Sequence, residues 1–268
     1  MPVLTLREAP PERLDFLAVN PLALSGLSQG DAERLVVGTT RRGLVLGDCF
    51  TVALDGSDTL TIAGGHERLD RVGAAMSEGA IRVEGDVGQR LGAGMAGGSL
   101  TVTGNAGPFA GSGATGGTIV IEGDAGDHAG GAVHAAKVGL DGATLVIRGS
   151  AGDYLGDSMR RGLIVVERAG TFAGARMIAG TIAAGTVGDH PGYGMRRGTL
   201  VVGGHGSLMP TFVETGALDL VYLRLLAKSL RPVSARHADL LANAPNGVPK
   251  RYSGDLATIG KGELWVAA

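Results

Sequence analysis

Aromatic residues and cysteine are scarce in this sequence. Aromatic side chains occupy 4% of its 268 positions, so aromatic packing cannot carry the interior. The lone cysteine, Cys49, excludes an internal disulfide framework and any iron–sulfur cluster or zinc ribbon held by cysteines. No apolar run reaches the length of a membrane span, and the N-terminus lacks the basic and apolar regions of a signal peptide. We therefore expect a cytoplasmic protein without membrane contact.

Net charge and catalytic motifs are equally sparse. The 24 Lys and Arg nearly balance the 26 Asp and Glu, so the net charge of −2 predicts neither nucleic acid nor a membrane surface as a partner. The sequence contains no HExxH, no histidine triad with metal-ligand spacing and no GxSxG. Gly92–Gly97 matches GxGxxG, but it lies outside any βαβ context. We expect no catalytic residue and no metal site in this chain.

Glycine, in contrast, fills 48 of the 268 positions. Collagen does not explain this abundance, because glycine does not recur at every third position. Disorder does not explain it either, because 44% of the residues are apolar and they form regular strips. The glycines must therefore serve particular backbone positions.

Two glycine columns share one period and one interruption. The first is spaced by 19, 19, 19, 26, 18 and 18 residues and consists of Gly73, Gly92, Gly111, Gly130, Gly156, Gly174 and Gly192. The second is spaced by 19, 19, 26, 18, 18 and 18 residues and consists of Gly88, Gly107, Gly126, Gly152, Gly170, Gly188 and Gly206. Because the two columns are independent, their agreement establishes an internal repeat.

Apolar residues follow the same period. Ahead of the second column lies an alternating strip, the pattern of a strand with one face inward. Its pairs are Leu60/Ile62, Ile81/Val83, Leu100/Val102, Ile119/Ile121, Leu145/Ile147, Ile164/Val166, Ile182/Ala184 and Leu200/Val202. A methionine column, which we expect to fill the core, consists of Met76, Met95, Met159, Met177 and Met195.

The repeat predicts an all-β fold. Units of 18–19 residues are too short for a helix pair, whereas short strands joined by glycine corners fit this length. Parallel stacking would place each unit about 4.8 Å above the last, and crossovers between parallel strands are right-handed. We therefore predict a right-handed parallel β-helix of about seven coils across residues 44–212. The long repeat step holds an insertion at Gly131–Gly142, a loop that offers a surface for a partner.

The flanking segments are expected to close or attach the rod. Residues 1–43 predict a strand at Val3–Leu6 and a helix near Asp31–Leu35. In residues 213–268, helical periodicity over Thr215–Leu230 predicts a helix that caps one end of the rod. The tail that follows is too short and polar to fold alone, so we expect it to dock on the body or on a partner.

The coil pattern over residues 60–206 resembles the glycine-repeat β-helix shared by the glutamate synthase C-terminal domain and by the C subunit of formylmethanofuran dehydrogenases. The ends discriminate between these families. The N-terminal VLTL strand and the C-terminal RYSGDLATIGKGELW (Arg251–Trp265), in a stand-alone chain of this size, look like the formylmethanofuran dehydrogenase C subunit. A glutamate synthase domain would come as the end of a far longer chain.

The resemblance implies a non-catalytic structural subunit whose partners are the other subunits of a hetero-oligomeric, formyl-transferring complex. In methylotrophic bacteria, that formyltransferase/hydrolase complex passes a formyl group from tetrahydromethanopterin to a methanofuran analogue and releases formate. In methanogens, the subunit belongs to a molybdenum or tungsten formylmethanofuran dehydrogenase. The bias of twenty arginines against four lysines favours the bacterial complex.

The cofactor assignment follows the same resemblance. A methanofuran-type cofactor and tetrahydromethanopterin are expected to serve the complex, with none bound by this chain alone. Two alternatives stay open, namely a glutamate synthase-like scaffold and a self-contained β-helix enzyme such as a polysaccharide lyase or an acyltransferase.

A column of planar side chains is a candidate for function. It consists of Arg71, Arg90, Phe109, His128, Tyr154, Phe172 and His190. Asp127–His128 and Asp189–His190 mimic a catalytic pair, but sequence neighbours on a strand point to opposite faces. We therefore predict that the column forms a stacked ladder between adjacent coils rather than a catalytic site.

Two arginine pairs are the other candidate. Arg160 and Arg161 lie two coils from Arg196 and Arg197, so the pairs are expected about 10 Å apart on one side of the rod. Four guanidiniums in a net-acidic protein make a local anion patch. One interpretation is a solvated or subunit-facing edge. The sharper hypothesis is contact with an anionic cofactor tail, since the resemblance implies a methanofuran-type cofactor, and these carry glutamates.

Overall fold

The computed structural model describes residues 2–217, 221–242 and 248–267, in which strands hold far more residues than helices. The strands are β1 (Val3–Leu6), β2 (Leu14–Asp15), β3 (Phe50–Ala53), β4 (Thr59–His66), β5 (Leu69–Asp70), β6 (Ala80–Val87), β7 (Ser99–Val102), β8 (Thr118–Ile121), β9 (Asp141–Ala151), β10 (Arg161–Ala169), β11 (Thr181–Val187), β12 (Arg197–His205), β13 (Val213–Ala217), β14 (Lys250–Gly254) and β15 (Lys261–Val266). The helices are α1 (Pro21–Ser25), α2 (Gln29–Glu33), α3 (Leu46–Cys49), α4 (Val221–Leu230) and α5 (Ala235–Ala242). None of these helices is long and apolar enough to cross a membrane.

One large sheet joins thirteen of the described strands in the order β13-β14-β15-β12-β11-β10-β9-β8-β7-β6-β4-β1-β3. Every neighbouring pair from β15 to β1 in that order is parallel, whereas β3, β13 and β14 pair antiparallel at the two ends. The register joins equivalent positions of successive repeats, so Ile81 lies beside Leu100 and Leu100 beside Ile119. The repeat thus forms a mostly parallel sheet, as its pattern predicted.

Backbone hydrogen bonds also join successive repeats outside this sheet. Parallel bridges connect Val87 to Ala106 and Ala106 to Ala125. At the first glycine column, the amide of Gly111 donates to the carbonyl of Leu91 at 2.7 Å, and equivalent bonds recur in the following repeats. Each repeat in this region is therefore held on the last at three places, namely the strand, the bridge and the glycine corner.

The predicted core is confirmed. Every residue of the alternating strip from Leu60/Ile62 to Leu200/Val202 is at most 2% exposed, and every residue of the methionine column is at most 3% exposed. The Met159 methyl lies 2.8 Å from the place that a Cβ on Gly180 would occupy. Gly180 lies just ahead of β11, and because it has no side chain it leaves room for Met159 of the preceding repeat.

The two glycine columns serve different physical purposes. Gly156 of the first column has φ of +66°, and a Cβ there would lie 2.7 Å from Cδ1 of Ile182. Gly152 of the second column has no positive φ, but a Cβ there would strike the Asp127 carboxylate of the preceding repeat. The first column therefore turns the chain, and the second allows one backbone to approach another closely.

The five rings of the planar column form the predicted stack, whereas Arg71 of the same column donates to the carboxylate of Asp15 at 2.8 Å. Phe109, His128, Tyr154 and Phe172 follow one another with ring centroids 5.0 Å apart, and His190 follows at 5.4 Å. These residues lie at corners rather than on strands, and their φ values of +57° to +64° are in the left-handed region. Stacking and a backbone bond from each residue to the next repeat offset the cost of that conformation.

The C-terminal helix differs from its prediction in bounds and in place. Of the predicted Thr215–Leu230, residues 215–217 lie in β13, residues 218–220 fall outside the described residues, and α4 covers the remainder. Helices α4 and α5 pack on the outer face of β9–β12, not across an end of the stack. The end of the stack that follows β12 is covered instead by strands β15, β14 and β13. The tail therefore docks on the body, one of the two predicted outcomes.

The outer face of the sheet explains why the helices lie there. The middle residue of each strip pair points outward, and near the N-terminal end it is Thr61, Arg82 or Thr101. From β9 onward this column becomes apolar and buried, with Val146, Val165, Ala183 and Val201. Side chains of α4 and α5 cover it, and Trp265 of β15 continues the column beside Val201. Because burying this apolar column stabilises the fold, the helices pack on this face of the sheet and not across an end of the stack.

The N-terminal prediction is confirmed in its main elements. Strand β1 spans the predicted Val3–Leu6, and α2 overlaps the helix predicted near Asp31–Leu35. Ser28 caps α2 by accepting the amide of Asp31 at 3.2 Å. Helices α1 and α3 were not predicted. Within the insertion, residues 131–140 form a loop ahead of β9.

Candidate functional site

Arg160 and Arg196 line one surface groove, which we call the arginine groove. Its volume is about 710 Å³, and it is lined by Lys137, Val138, Ser158, Arg160, Arg176, Ile178, Gly194, Arg196 and Thr258. Arg160 and Arg196 each follow a buried methionine of the core, so the repeat places them in one column with Ile178 between them. Two of the four predicted arginines therefore share one site.

Arg161 and Arg197 are exposed at the starts of β10 and β12, and they do not line the groove. Arg161 donates from Nε to Asp141 at 2.7 Å, and this hydrogen bond lowers the pKa of the Asp141 carboxyl from its ordinary value. Arg160 lies 3.6 Å from the same carboxylate. The predicted patch of four arginines is thus divided. Arg160 and Arg196 line the groove, whereas Arg161 and Arg197 lie outside it.

Arg176 is a groove residue that the sequence prediction missed. Its Nε and Nη2 donate to the two oxygens of Asp157 at 2.8 Å and 2.5 Å. These side-chain bonds raise the pKa of Arg176 above its ordinary value, so the guanidinium stays charged at any physiological pH. The Asp157 side chain is only 2% exposed, whereas that of Arg176 is 61% exposed. A buried carboxylate therefore holds an outward-facing cation.

A signal for Arg176 was present in the repeat. In five other repeats the equivalent corner position is filled by a small residue with a positive φ: Ala75, Gly94, Gly113, Ser158 and Gly194. Arg176 adopts φ of +52° there. A long charged side chain at such a position is uncommon. Gly194 of the next repeat lies beside Arg176, because a Cβ on Gly194 would be in van der Waals contact with Cγ of Arg176 at 3.5 Å.

A second groove continues the first along the aromatic ladder. Its volume is about 470 Å³, and it shares Lys137, Ser158 and Arg176 with the arginine groove. One wall is the insertion loop at residues 132–137, and the other includes Phe109 and His128. The His134 ring from this loop is tilted against Phe109 with centroids 5.8 Å apart. The insertion thus folds back over the coils instead of extending away from them.

The aspartates beside the ladder histidines have a backbone role. The Asp127 carboxylate accepts the amide of Asp153 at 2.9 Å, and the Asp189 carboxylate accepts the amide of Ser207 at 2.7 Å. Each aspartate therefore bonds the next repeat, while the neighbouring histidine stacks with other rings. This series of hydrogen bonds from backbone amides to aspartates of the preceding repeat was not predicted. It explains the Asp–His dipeptides without acid–base chemistry.

No cluster of three or more metal-ligating side chains occurs in residues 2–217, 221–242 and 248–267. The charged groups that line the groove are the guanidiniums of Arg160, Arg176 and Arg196 and the ammonium of Lys137, and such groups bind carboxylates and phosphates.

Comparison with known proteins covers the whole chain. No protein-family model matches it. The chain is 70% identical over 269 residues to the C subunit of the formyltransferase/hydrolase complex Fhc of Methylorubrum extorquens, with 100% of both sequences covered. It is also similar to a chain in the X-ray crystal structure of the formyltransferase/hydrolase complex FhcABCD from Methylorubrum extorquens in complex with methylofuran. That similarity has a TM-score of 0.96 and 68% identity, and it covers 99% of each chain.

Proposed function

The chain belongs to the family of C subunits of formyltransferase/hydrolase complexes, and from that membership we propose that it is the architectural, non-catalytic subunit of such a complex. The observation that carries this proposal is the 70% identity across the full length of the relative. The complex would pass a formyl group from tetrahydromethanopterin to a methanofuran analogue and release formate. Molybdenum or tungsten dehydrogenase chemistry and a glutamate synthase-like scaffold are not favoured by this relationship.

The proposed scaffold is a right-handed parallel β-helix of about seven coils across residues 44–212. The three hydrogen-bonded places that join successive repeats support this coiling. Residues 1–43 and 213–268 would then be its closing and attaching segments. The stacked rings and the aspartate ladder stiffen the corners, which suits a scaffold whose purpose is to hold other subunits in place.

The arginines are the proposed point of contact with an anionic cofactor tail. The relative's crystal structure contains methylofuran, and we propose that an equivalent cofactor of this complex lies against Arg160, Arg161, Arg196 and Arg197. The shared groove of Arg160 and Arg196 supports this contact most directly. Arg161 and Arg197 would contribute to the surrounding potential from the adjacent sheet edge.

Activity measurements test the assignment. The full chain purified alone is expected to show no formyl transfer and no formate release, whereas the complex that contains it shows both. Activity of the chain alone would overturn the architectural assignment. Stoichiometric molybdenum or tungsten in the purified complex would instead favour the dehydrogenase form.

A further inference from the structure

Helix α4 turns two large apolar side chains toward solvent. Val221 is 67% exposed and Leu225 is 62% exposed, and they lie one helical turn apart on the same side of the helix. The opposite side of α4 is buried on the outer face of the sheet. The helix therefore carries a second apolar stripe that no described part of this chain buries.

Cations accompany this apolar pair, and no acid does. The ten residues of α4 include Arg224 and Lys228 but no Asp or Glu. Positions 221, 224, 225 and 228 follow the spacing of residues that share one helix face. We call these four residues the exposed α4 face. It combines apolar and positively charged side chains on a chain whose net charge is −2.

A groove of about 280 Å³ lies beside this face, between α4 and α5. Its lining includes Leu223, Arg224, Ala227, Lys228, Arg231 and Leu241. The three cations are spaced by four and three residues, so they extend over roughly 10 Å of the helix. Arg231 donates to Asp239 at 2.8 Å, whereas Lys228 forms no hydrogen bond or ion pair with the residues that the structure describes. The groove therefore keeps a cation available for another molecule.

The surface is held in position by the inner side of the helix. Leu223, Leu226 and Leu230 are at most 9% exposed in the cluster that α4 forms with the sheet. The hydroxyl of Tyr222 lies 3.2 Å from Oγ1 of Thr199 in β12. A partner that binds the outer side therefore does not have to order the helix first, which lowers the entropic cost of binding.

The chemistry of the exposed α4 face selects its occupant. A helix that lies on a membrane inserts its apolar face, but the larger apolar face of α4 is already buried on the sheet. Two copies of this chain joined through the face would bring the cations of both copies together, and α4 supplies no acid to pair with them. A complementary surface has to offer apolar side chains and carboxylates together, as an acidic amphipathic protein segment does.

We infer that the exposed α4 face and the adjoining groove dock an acidic amphipathic segment of another subunit of the complex. Apolar side chains of that segment cover Val221 and Leu225, and one of its carboxylates pairs with Lys228. This inference rests on the proposed architectural function and deepens it by assigning an attachment surface. Helix α4 then has two roles, since its inner side covers the sheet and its outer side holds a partner.

Competitive assembly tests this surface. The unaltered chain and the double variant Leu225→Asp/Lys228→Glu, with different tags, are expressed together with the other subunits, and intact-mass spectrometry measures their ratio in the purified complex. We expect the variant to be depleted at least about tenfold relative to its share of the cell extract, because an apolar anchor is lost and acid then faces acid.

A control of equal charge shows whether the effect belongs to this face. Leu22→Asp/Arg34→Glu also replaces one exposed leucine and one exposed cation, and it lowers the net charge by the same amount. It should enter the complex as readily as the unaltered chain does. Equal incorporation of the α4 variant would overturn the inference. Equal depletion of both variants would overturn it as well, since the effect would then be one of net charge.

Carbodiimide cross-linking tests the charge pair in the unaltered complex, because the reagent joins a lysine amine to a carboxylate beside it. Peptide mass spectrometry should find Lys228 linked to an Asp or Glu of another subunit. Lys250, whose Nζ lies 4.0 Å from the Glu214 carboxylate, should link to that residue within the chain and confirms that the reagent has acted. Linkage of Lys228 only to carboxylates of this chain, or no linkage of Lys228 while Lys250 reacts, would contradict the docking surface.

The outcomes also separate this inference from the function on which it rests. A complex that takes up the double variant and the unaltered chain equally overturns the docking surface and leaves the architectural function standing. An unaltered chain that purifies without any other subunit overturns the architectural function, and the docking surface with it.

Discussion

The Arg176 guanidinium donates two hydrogen bonds to the Asp157 carboxylate, although the two residues belong to consecutive repeats. The carboxylate lies under the coil surface and the guanidinium above it. The pair thus joins two successive repeats and presents one fixed cation to the groove. This arrangement links the stability of the stacked repeats to the chemistry of their surface.

Replacing Asp157 with Asn should weaken that link. We expect the free energy of unfolding to fall by about 1–2 kcal/mol, because the bonds to a charged acceptor become neutral ones while solvent screens the exposed Arg176. Urea denaturation measures the loss. Arg34→Gln, which removes an exposed pair with Asp31 at 3.4 Å, should change the free energy by less than about 0.5 kcal/mol. Equal effects would refute the structural role of Asp157.

Two glycines with the same backbone angle separate conformational strain from packing. Gly156 and Gly94 both have φ of +66°, but a Cβ on Gly156 would meet Ile182 whereas nothing lies within 4 Å of a Cβ on Gly94. Gly94→Ala should lower stability by about 1–2 kcal/mol through left-handed strain. Gly156→Ala should cost about 1–3 kcal/mol more through overpacking. Indistinguishable melting temperatures would contradict the packed-corner interpretation.

The outer apolar column predicts how the helices are held. Val165 is 1% exposed beneath α4 and α5, while Thr101 occupies the same column of the repeat outside the cluster that these two described helices form with the sheet. Val165→Asp should release the helices, because a charge would be buried without a partner. Limited proteolysis within residues 221–242 should then become fast. Thr101→Asp should leave the cleavage rate unchanged, and acceleration by both variants would contradict the assignment.

His237 should make the attachment of α5 sensitive to pH. Its Nε2 lies 2.8 Å from the carbonyl of Val166, and its Nδ1 lies 2.8 Å from Oγ of Ser234. Burial lowers the pKa of His237 from its ordinary value. The hydrogen bond with the Val166 carbonyl and the charge of Glu167 oppose this shift, and the charge of Arg236 adds a smaller lowering effect. Arg148 contributes in the same direction as Arg236.

The sign of the pH effect follows from that lowered pKa. The unfolded chain binds a proton at His237 near pH 6.5, whereas the folded chain resists it. The stability that the neutral ring contributes is therefore complete above about pH 6.5 and is lost as the pH falls toward the folded-state pKa. Urea midpoints between pH 8 and 5 should fall more steeply in the unaltered chain than in His237→Gln. The control variant His134→Gln, which alters the insertion loop, should retain the steep fall.

Much of the coil interior was predictable because its information is local and periodic. Each strip pair, each methionine and each ring of the ladder recurs at one position, so a role inferred once applies to the column. The left-handed corners under the rings could not be inferred in this way. Residues such as His128 carry a side chain there only because stacking and hydrogen bonds between repeats offset the strain.

The groove and the C-terminal helices depend on contacts outside the period. Nothing in the repeat determines that the loop bearing Lys137 folds back beside Arg176. Periodicity placed Arg160 and Arg196 correctly in one column, but it could not show that Arg161 would bond Asp141 instead. The position of α4 was indicated by the outer valines, which the prediction of an end cap did not take into account.

Native mass spectrometry of the assembly purified through this chain tests the architectural role most directly. We predict a hetero-oligomer in which the chain is present with the other subunits of a formyltransferase/hydrolase complex. Gentle dissociation should release the chain folded and without formyl-transferring activity. A monomer or homo-oligomer that transfers or hydrolyses formyl groups by itself would contradict the architectural role.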